Sequence, residues 1–93
     1  MSEKKSPASE LPPSPELQYL APYLSQMPPV IARRRVEYFT GGVATSKQLA
    51  TADSRGKGPK VRQKIGECVA YPTPFLLEYL ERQGVKNIVV PQI

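Results

Sequence analysis

Between residues 45 and 71 the chain alternates stop signals with short patterned runs, and none of these runs is long enough to make a domain alone. Thr45 and Gln48 form a Thr-x-x-Gln capping box, in which each side chain satisfies the other residue's orphan backbone donor and so opens a helix. Leu49 and Ala52 are three apart, with Ala50 beside them, so the buried face of this helix is made of small groups that let a second helix cross closely. Its exposed face carries Ser46, Lys47, Thr51 and, at the end, Arg55. Gly56 closes the helix and Gly58-Pro59 turns the chain. Residues 61–71 then alternate as a strand pair, with Val61, Gln63 and Ile65 on one face and Arg62 and Lys64 on the other. Val69 and Tyr71 are the apolar residues of the returning strand. A three-residue loop, Gly66-Glu67-Cys68, sets Ile65 opposite Val69, whereas a two-residue Gly66-Glu67 turn sets Ile65 opposite Cys68. Pairing apolar with apolar favours the longer loop.

What flanks this stretch must complete its core. In residues 30–39, Ala32, Val36 and Phe39 recur at i, i+4 and i+7, which predicts one helix with Arg33, Arg34 and Glu37 mostly off its apolar stripe. Thr40-Gly41-Gly42 stops it. After the ribbon, Thr73-Pro74 reads as a helix start with a Thr cap. Leu76, Leu77 and Leu80 form its apolar side, Phe75 and Tyr79 its flanks, and Gly84 its stop. Residues 1–28 are expected to be a largely disordered, Pro-rich tail, with a short helix near 16–27 that starts at Ser14-Pro15-Glu16 and is interrupted by Pro22. Leu17, Leu20, Leu24 and Met27 give that segment an apolar side suited to docking on the domain. Residues 85–93 form a C-terminal tail whose β-prone run at 88–90 suits a short strand, docking or self-association. The expected fold is thus mostly α, with three core helices and a small two-stranded β-ribbon over residues 29–84.

Charge is segregated along the chain. Residues 30–65 hold nine bases against two acids, while residues 1–29 and 66–93 each hold two bases against three acids. An excess of positive charge confined to one stretch fits a polyanion site. Histidine is absent and Cys68 is the single cysteine, so neither an internal disulfide nor a metal-ligand cluster can be assembled. Hydrolytic and redox catalysis lack their commonest residues, so no enzymatic activity, cofactor or metal is expected. No apolar run reaches the length of a membrane span, and the polar N-terminal stretch lacks the core of a signal peptide. The cytoplasm is the expected location.

In order and spacing, Tyr38-Phe39-Thr40-Gly41-Gly42, Ser46-Lys47-Gln48-Leu49-Ala50, Ser54-Arg55-Gly56-Lys57-Gly58-Pro59 and Lys64-Ile65-Gly66 with Val69 and Tyr71 form one pattern. It resembles the excisionase-like branch of the MerR-type winged helix-turn-helix proteins, over about residues 31–82. These are small phage, plasmid and mobile-element proteins that bind DNA, some directing integrases toward excision and some regulating transcription. The resemblance implies double-stranded DNA as the partner, the helix opening at Thr45 as the recognition helix, and the ribbon as the wing. Ser46, Lys47, Gln48 and Thr51 match the family's major-groove face, and Arg62 and Lys64 match wing positions near the phosphates. Lys47, Gln48 and Thr51 are the candidates for reading bases, since Lys can donate to guanine and Gln can bind adenine. Arg55, Lys57, Lys60, Arg62 and Lys64 are the phosphate candidates, joined by Arg34 from the first helix. The chain departs from many relatives at Glu67 and Cys68, where those carry bases, and at Ala52, where those carry a larger residue. Two other readings stay open. One is the DNA-recognition subunit of a larger terminase-like machine, with an integrase- or terminase-type partner or self-association. The other is a protein-interaction module on the same fold that no longer binds DNA.

Overall fold

The computed structural model describes residues 11–91. Along them run α1 (Ala21–Leu24), β1 (Val30–Ala32), a 3-10 turn (Arg33–Arg35), α2 (Val36–Phe39), α3 (Ser46–Ser54), β2 (Gln63–Ile65), β3 (Cys68–Pro72) and α4 (Thr73–Arg82). The strands form one antiparallel sheet in the order β1-β3-β2. The fold is therefore α+β, with one strand more than the expected ribbon. Among the described residues no helix is long and apolar enough to cross a membrane.

The additional strand comes from the segment read as the start of a helix. Val30–Ala32 pairs with β3, setting Ile31 against Tyr71 and Ala32 against Ala70. Pro28-Pro29 favours extended backbone before it, and two β-branched residues follow, so the sheet's period of two wins over the helical stripe. Ile31 is buried, and Ala32 remains extended before the arginines turn the chain into α2. Only Val36 and Phe39 of the stripe lie on a helix, with Val36 buried and Phe39 packed at the edge of the core.

The core joins every layer. Ile31, Val36, Ala44, Leu49, Tyr71, Leu76 and Tyr79 form one buried cluster, with Met27, Phe39, Ala52, Val69 and Leu80 packed against it. Each fully buried aliphatic in it contributes roughly 1.5–3 kcal/mol. Phe75 and Leu77 are buried too, so the expected flanks Phe75 and Tyr79 are inside, while Leu80 sits at the margin. Thr73 does not cap α4. Its N–H donates to the Pro29 carbonyl (2.9 Å) and its hydroxyl to the Pro28 carbonyl, which ties the sheet to the start of α4.

Residues 1–10 of the expected disordered tail lie outside the described residues. Residues 11–17 have no regular structure, and the helix comprises only Ala21–Leu24, with Pro22 in its first turn rather than interrupting it. Ser14-Pro15-Glu16 therefore starts no helix. The segment nonetheless docks on the domain. The N–H groups of Gln18, Tyr19 and Leu20 donate to the Glu81 carboxylate at 3.0, 2.6 and 2.7 Å. Desolvation raises the Glu81 carboxyl, but those three donors outweigh it and hold the group below its ordinary value. Residues 85–91 form no strand, so the β-prone run at 88–90 makes no ladder with the sheet.

Candidate nucleic-acid interface

α3 is fixed at both ends by its own sequence. At the start, Thr45 Oγ1 accepts from the Gln48 N–H (3.1 Å) and Gln48 Oε1 accepts from the Thr45 N–H (2.9 Å), completing the expected capping box. At the end, the Lys57 N–H reaches the Ala52 carbonyl (2.8 Å) and the Gly56 N–H reaches that of Asp53 (3.1 Å). This paired closure needs a left-handed residue, which Gly56 supplies at φ 71°. The preceding turn is set by Thr40, whose hydroxyl donates to the Val36 carbonyl (2.7 Å) and accepts from the Ala44 N–H (3.2 Å). Ala44 thereby enters the core, while Val43 stands 69% exposed.

Helical geometry then sorts the residues of α3. Leu49 is buried and Ala52 half-buried, but Ala50 is exposed and adds nothing to the packed side. Ser46, Lys47, Gln48, Thr51 and Arg55 are exposed. Lys47, Gln48, Thr51 and Arg55, together with Lys57, line one side of a single broad concavity. The capping box holds the Gln48 carbonyl oxygen, so adenine can be met by its amide NH2 alone unless the box opens.

The inner end of α3 carries a polar cluster around Asp53, whose side chain is only 5% exposed. Arg33 Nη2 and the Tyr71 hydroxyl both donate to Asp53 Oδ2, each at 2.6 Å, and Arg33 Nε donates to the Tyr71 oxygen at 2.9 Å. Oδ1 accepts no hydrogen bond among the described residues, and Arg62 Nη1 stands 3.5 Å from it. Burial, and then the bond to Asp53, push the Tyr71 phenol up to about 12. The chain after α3 crosses tightly over this cluster, because a Cβ on Gly58 would stand 2.0 Å from Asp53 Oδ1. Arg82 Nη2 donates to the Gly58 carbonyl from α4 (2.9 Å) and fixes the crossing. Arg33 of the 3-10 turn and Tyr71 of β3 thus clamp α3 in place, with Arg62 as a longer, outer partner.

The β2–β3 hairpin departs from its expected register. Ile65 pairs with Cys68, Lys64 with Val69 and Gln63 with Ala70, so the connection is the two-residue Gly66-Glu67 turn. Gly66 at φ 61°, followed by a residue with negative φ, suits the type II′ hairpin turn, which matches the strand twist. Turn geometry prevails over apolar matching, and the one-residue slip exchanges the faces of β2. Lys64 shares the face of Val69 and Tyr71, and Arg62 reaches inward to Asp53. Ile65 lies on the opposite face, 60% exposed.

Ion pairing separates the basic residues further. Among the described residues Arg33 and Arg62 serve Asp53, and Lys60 stands 3.7 Å from Glu78. Arg34 makes no ion pair but donates to the Cys68 sulfur (2.7 Å), linking the 3-10 turn to the β2–β3 hairpin. Arg35, Lys47, Arg55, Lys57 and Lys64 likewise have no carboxylate partner there. The ion pairs of Arg62 and Lys60 are long, at 3.5 and 3.7 Å, and their cation ends are more than half exposed, so both pairs are weak and both cations remain accessible to a polyanion.

In the sequence Asp53 stands only as one of two acids in a basic stretch, and nothing in the spacing brings Arg33 and Tyr71 to it. One signal was present. A carboxylate in the last turn of a helix opposes the macrodipole and calls for a cation close by. Comparison of the chain with protein-family models, with curated proteins and with solved structures finds no match.

Proposed function

We propose that this chain is a non-enzymatic, sequence-specific double-stranded DNA-binding protein of the excisionase or small-regulator type, built as a winged helix-turn-helix. α2 and α3 form the helix-turn-helix pair, α3 enters the major groove, and the β2–β3 hairpin serves as the wing. The observation that carries this reading is the exposed side of α3. Lys47, Gln48, Thr51 and Arg55 stand exposed on one side of a helix whose other side is clamped at Asp53, and Ser46 is exposed at its first turn. Readout needs such an arrangement, because side chains on a fixed helix reach base edges in a defined register. Arg34, Lys57, Lys60, Arg62 and Lys64 supply phosphate contacts that hold that register without reading sequence. Glu67 at the wing tip opposes close insertion there, so the helix carries most of the recognition.

Equilibrium binding to duplex DNA across a salt series tests the reading. Log affinity is expected to fall linearly with log salt, with a slope of about −0.9 for each phosphate neutralised. Absence of binding to any duplex at low salt contradicts it.

A further inference from the structure

The concavity beside α3 holds more than a DNA-reading helix requires. Its volume is about 1170 Å³, and its other walls are the turn after α2, α1 and the C-terminal half of α4. This exceeds the roughly 300–1,000 Å³ typical of small-molecule clefts. The floor is apolar, formed by Phe39, Ala44, Ala52, Leu77 and Leu80. Its margin keeps Val43 and Tyr23 in water, at 69% and 54% exposure. Lys47, Arg55 and Lys57 line it as well, and no Asp or Glu is among its lining residues. DNA cannot account for the apolar part, since a phosphate surface gains nothing from Tyr23, Val43 or Leu80.

We infer that this groove docks an amphipathic helix of a partner protein, apolar along one side and acidic along its margin. Charge complementarity identifies the occupant. Apolar anchors at i, i+3/i+4 and i+7 fill a groove of this kind, and carboxylates beside them meet the bases on the α3 wall. The neighbouring tail suits the groove poorly, since residues 85–91 carry Lys86 and no acid. Lys47, Gln48, Thr51 and Arg55 belong to both surfaces, so the helix and a duplex exclude one another. Docking itself does not depend on the DNA reading.

The test is a titration of the full chain, followed by amide chemical shifts, with a synthetic peptide of about four helical turns bearing Leu at those anchor positions and Glu at the margins. A matched peptide with Lys in place of Glu is the control. Saturable shifts confined to Tyr23, Val43, Lys47, Thr51 and Val85 are expected, with the Lys peptide at least about tenfold weaker. Val43→Asp and Tyr23→Ala, both at exposed positions, are expected to weaken the Glu peptide by about tenfold while leaving the amide spectrum folded. The inference is overturned by absence of saturable shifts, by equal binding of the two peptides, or by groove shifts that follow protein concentration alone, which assign the groove to a second copy. Duplex DNA titrated separately keeps the readings distinct. Peptide binding without duplex binding contradicts only the DNA reading, and the reverse contradicts only this one.

Discussion

The C-terminal end of α3 and the tip of the β2–β3 hairpin belong to the two elements that the resemblance implies would meet DNA, and they are built on opposite terms. At the first, a buried carboxylate gathers Arg33, Tyr71 and Arg62, and the Gly58 backbone closes over it. At the second, Gly66 and Glu67 stand exposed, Ile65 faces solvent and Arg34 reaches only the Cys68 sulfur. A cation therefore acts according to its neighbours. Arg33 positions the helix, whereas Lys47, Arg55 and Lys57 remain turned toward whatever approaches it.

Substitutions at the clamp should therefore lower stability, and substitutions at the tip should not. The largest effect is expected for Asp53→Ala, which leaves Arg33 without its counter-charge and should lower stability by about 3 kcal/mol in denaturant unfolding. A loss below about 1 kcal/mol would mean that the cluster does not hold α3. Gly58→Ala comes next. Its methyl displaces the Asp53 carboxylate, and overpacking of this kind destabilises by about 1–3 kcal/mol, seen as a lower melting temperature. The Tyr71 hydroxyl gives a pH test of the same cluster. Its folded pKa of about 12 lies above the ordinary 10.0, so its stabilisation is whole below pH 10.0 and declines as pH rises toward 12. Melting temperatures across that window should fall for the native chain and flatten for Tyr71→Phe. A parallel decline in both would assign the alkaline loss to other groups. The smallest stability effect belongs to Glu67→Lys, within about 0.5 kcal/mol of the native chain. In a salt series it should steepen the duplex-binding slope by about 0.9, and an unchanged slope would set the tip away from the backbone.

Much of α3 was legible in the sequence because its determinants are local. The capping box spans four residues, Gly56 acts on the turn it ends, and Leu49 faces inward by helical period alone. Leu76 and Leu77 were legible for the same reason. β1 was not, since a three-residue strand carries too little periodicity and its state depends on β3, some forty residues away. The hairpin register turned on whether Gly66 adopts a tight hairpin turn or a looser loop, and apolar matching pointed the wrong way because Ile65 has no place in the core. The exposed candidates of the α3 surface were found by facing. The division of bases between Asp53 and solvent was not, because ion pairing depends on tertiary distance.

The direct measurement is to compare Lys47→Ala with Lys57→Ala on a duplex selected from a random pool and on an unselected duplex, at matched salt. If α3 reads sequence and Lys57 only holds phosphate, Lys47→Ala will lose its preference for the selected duplex by about 1–3 kcal/mol, while Lys57→Ala weakens both duplexes alike. Equal loss on both duplexes for both variants would contradict α3 as the recognition helix.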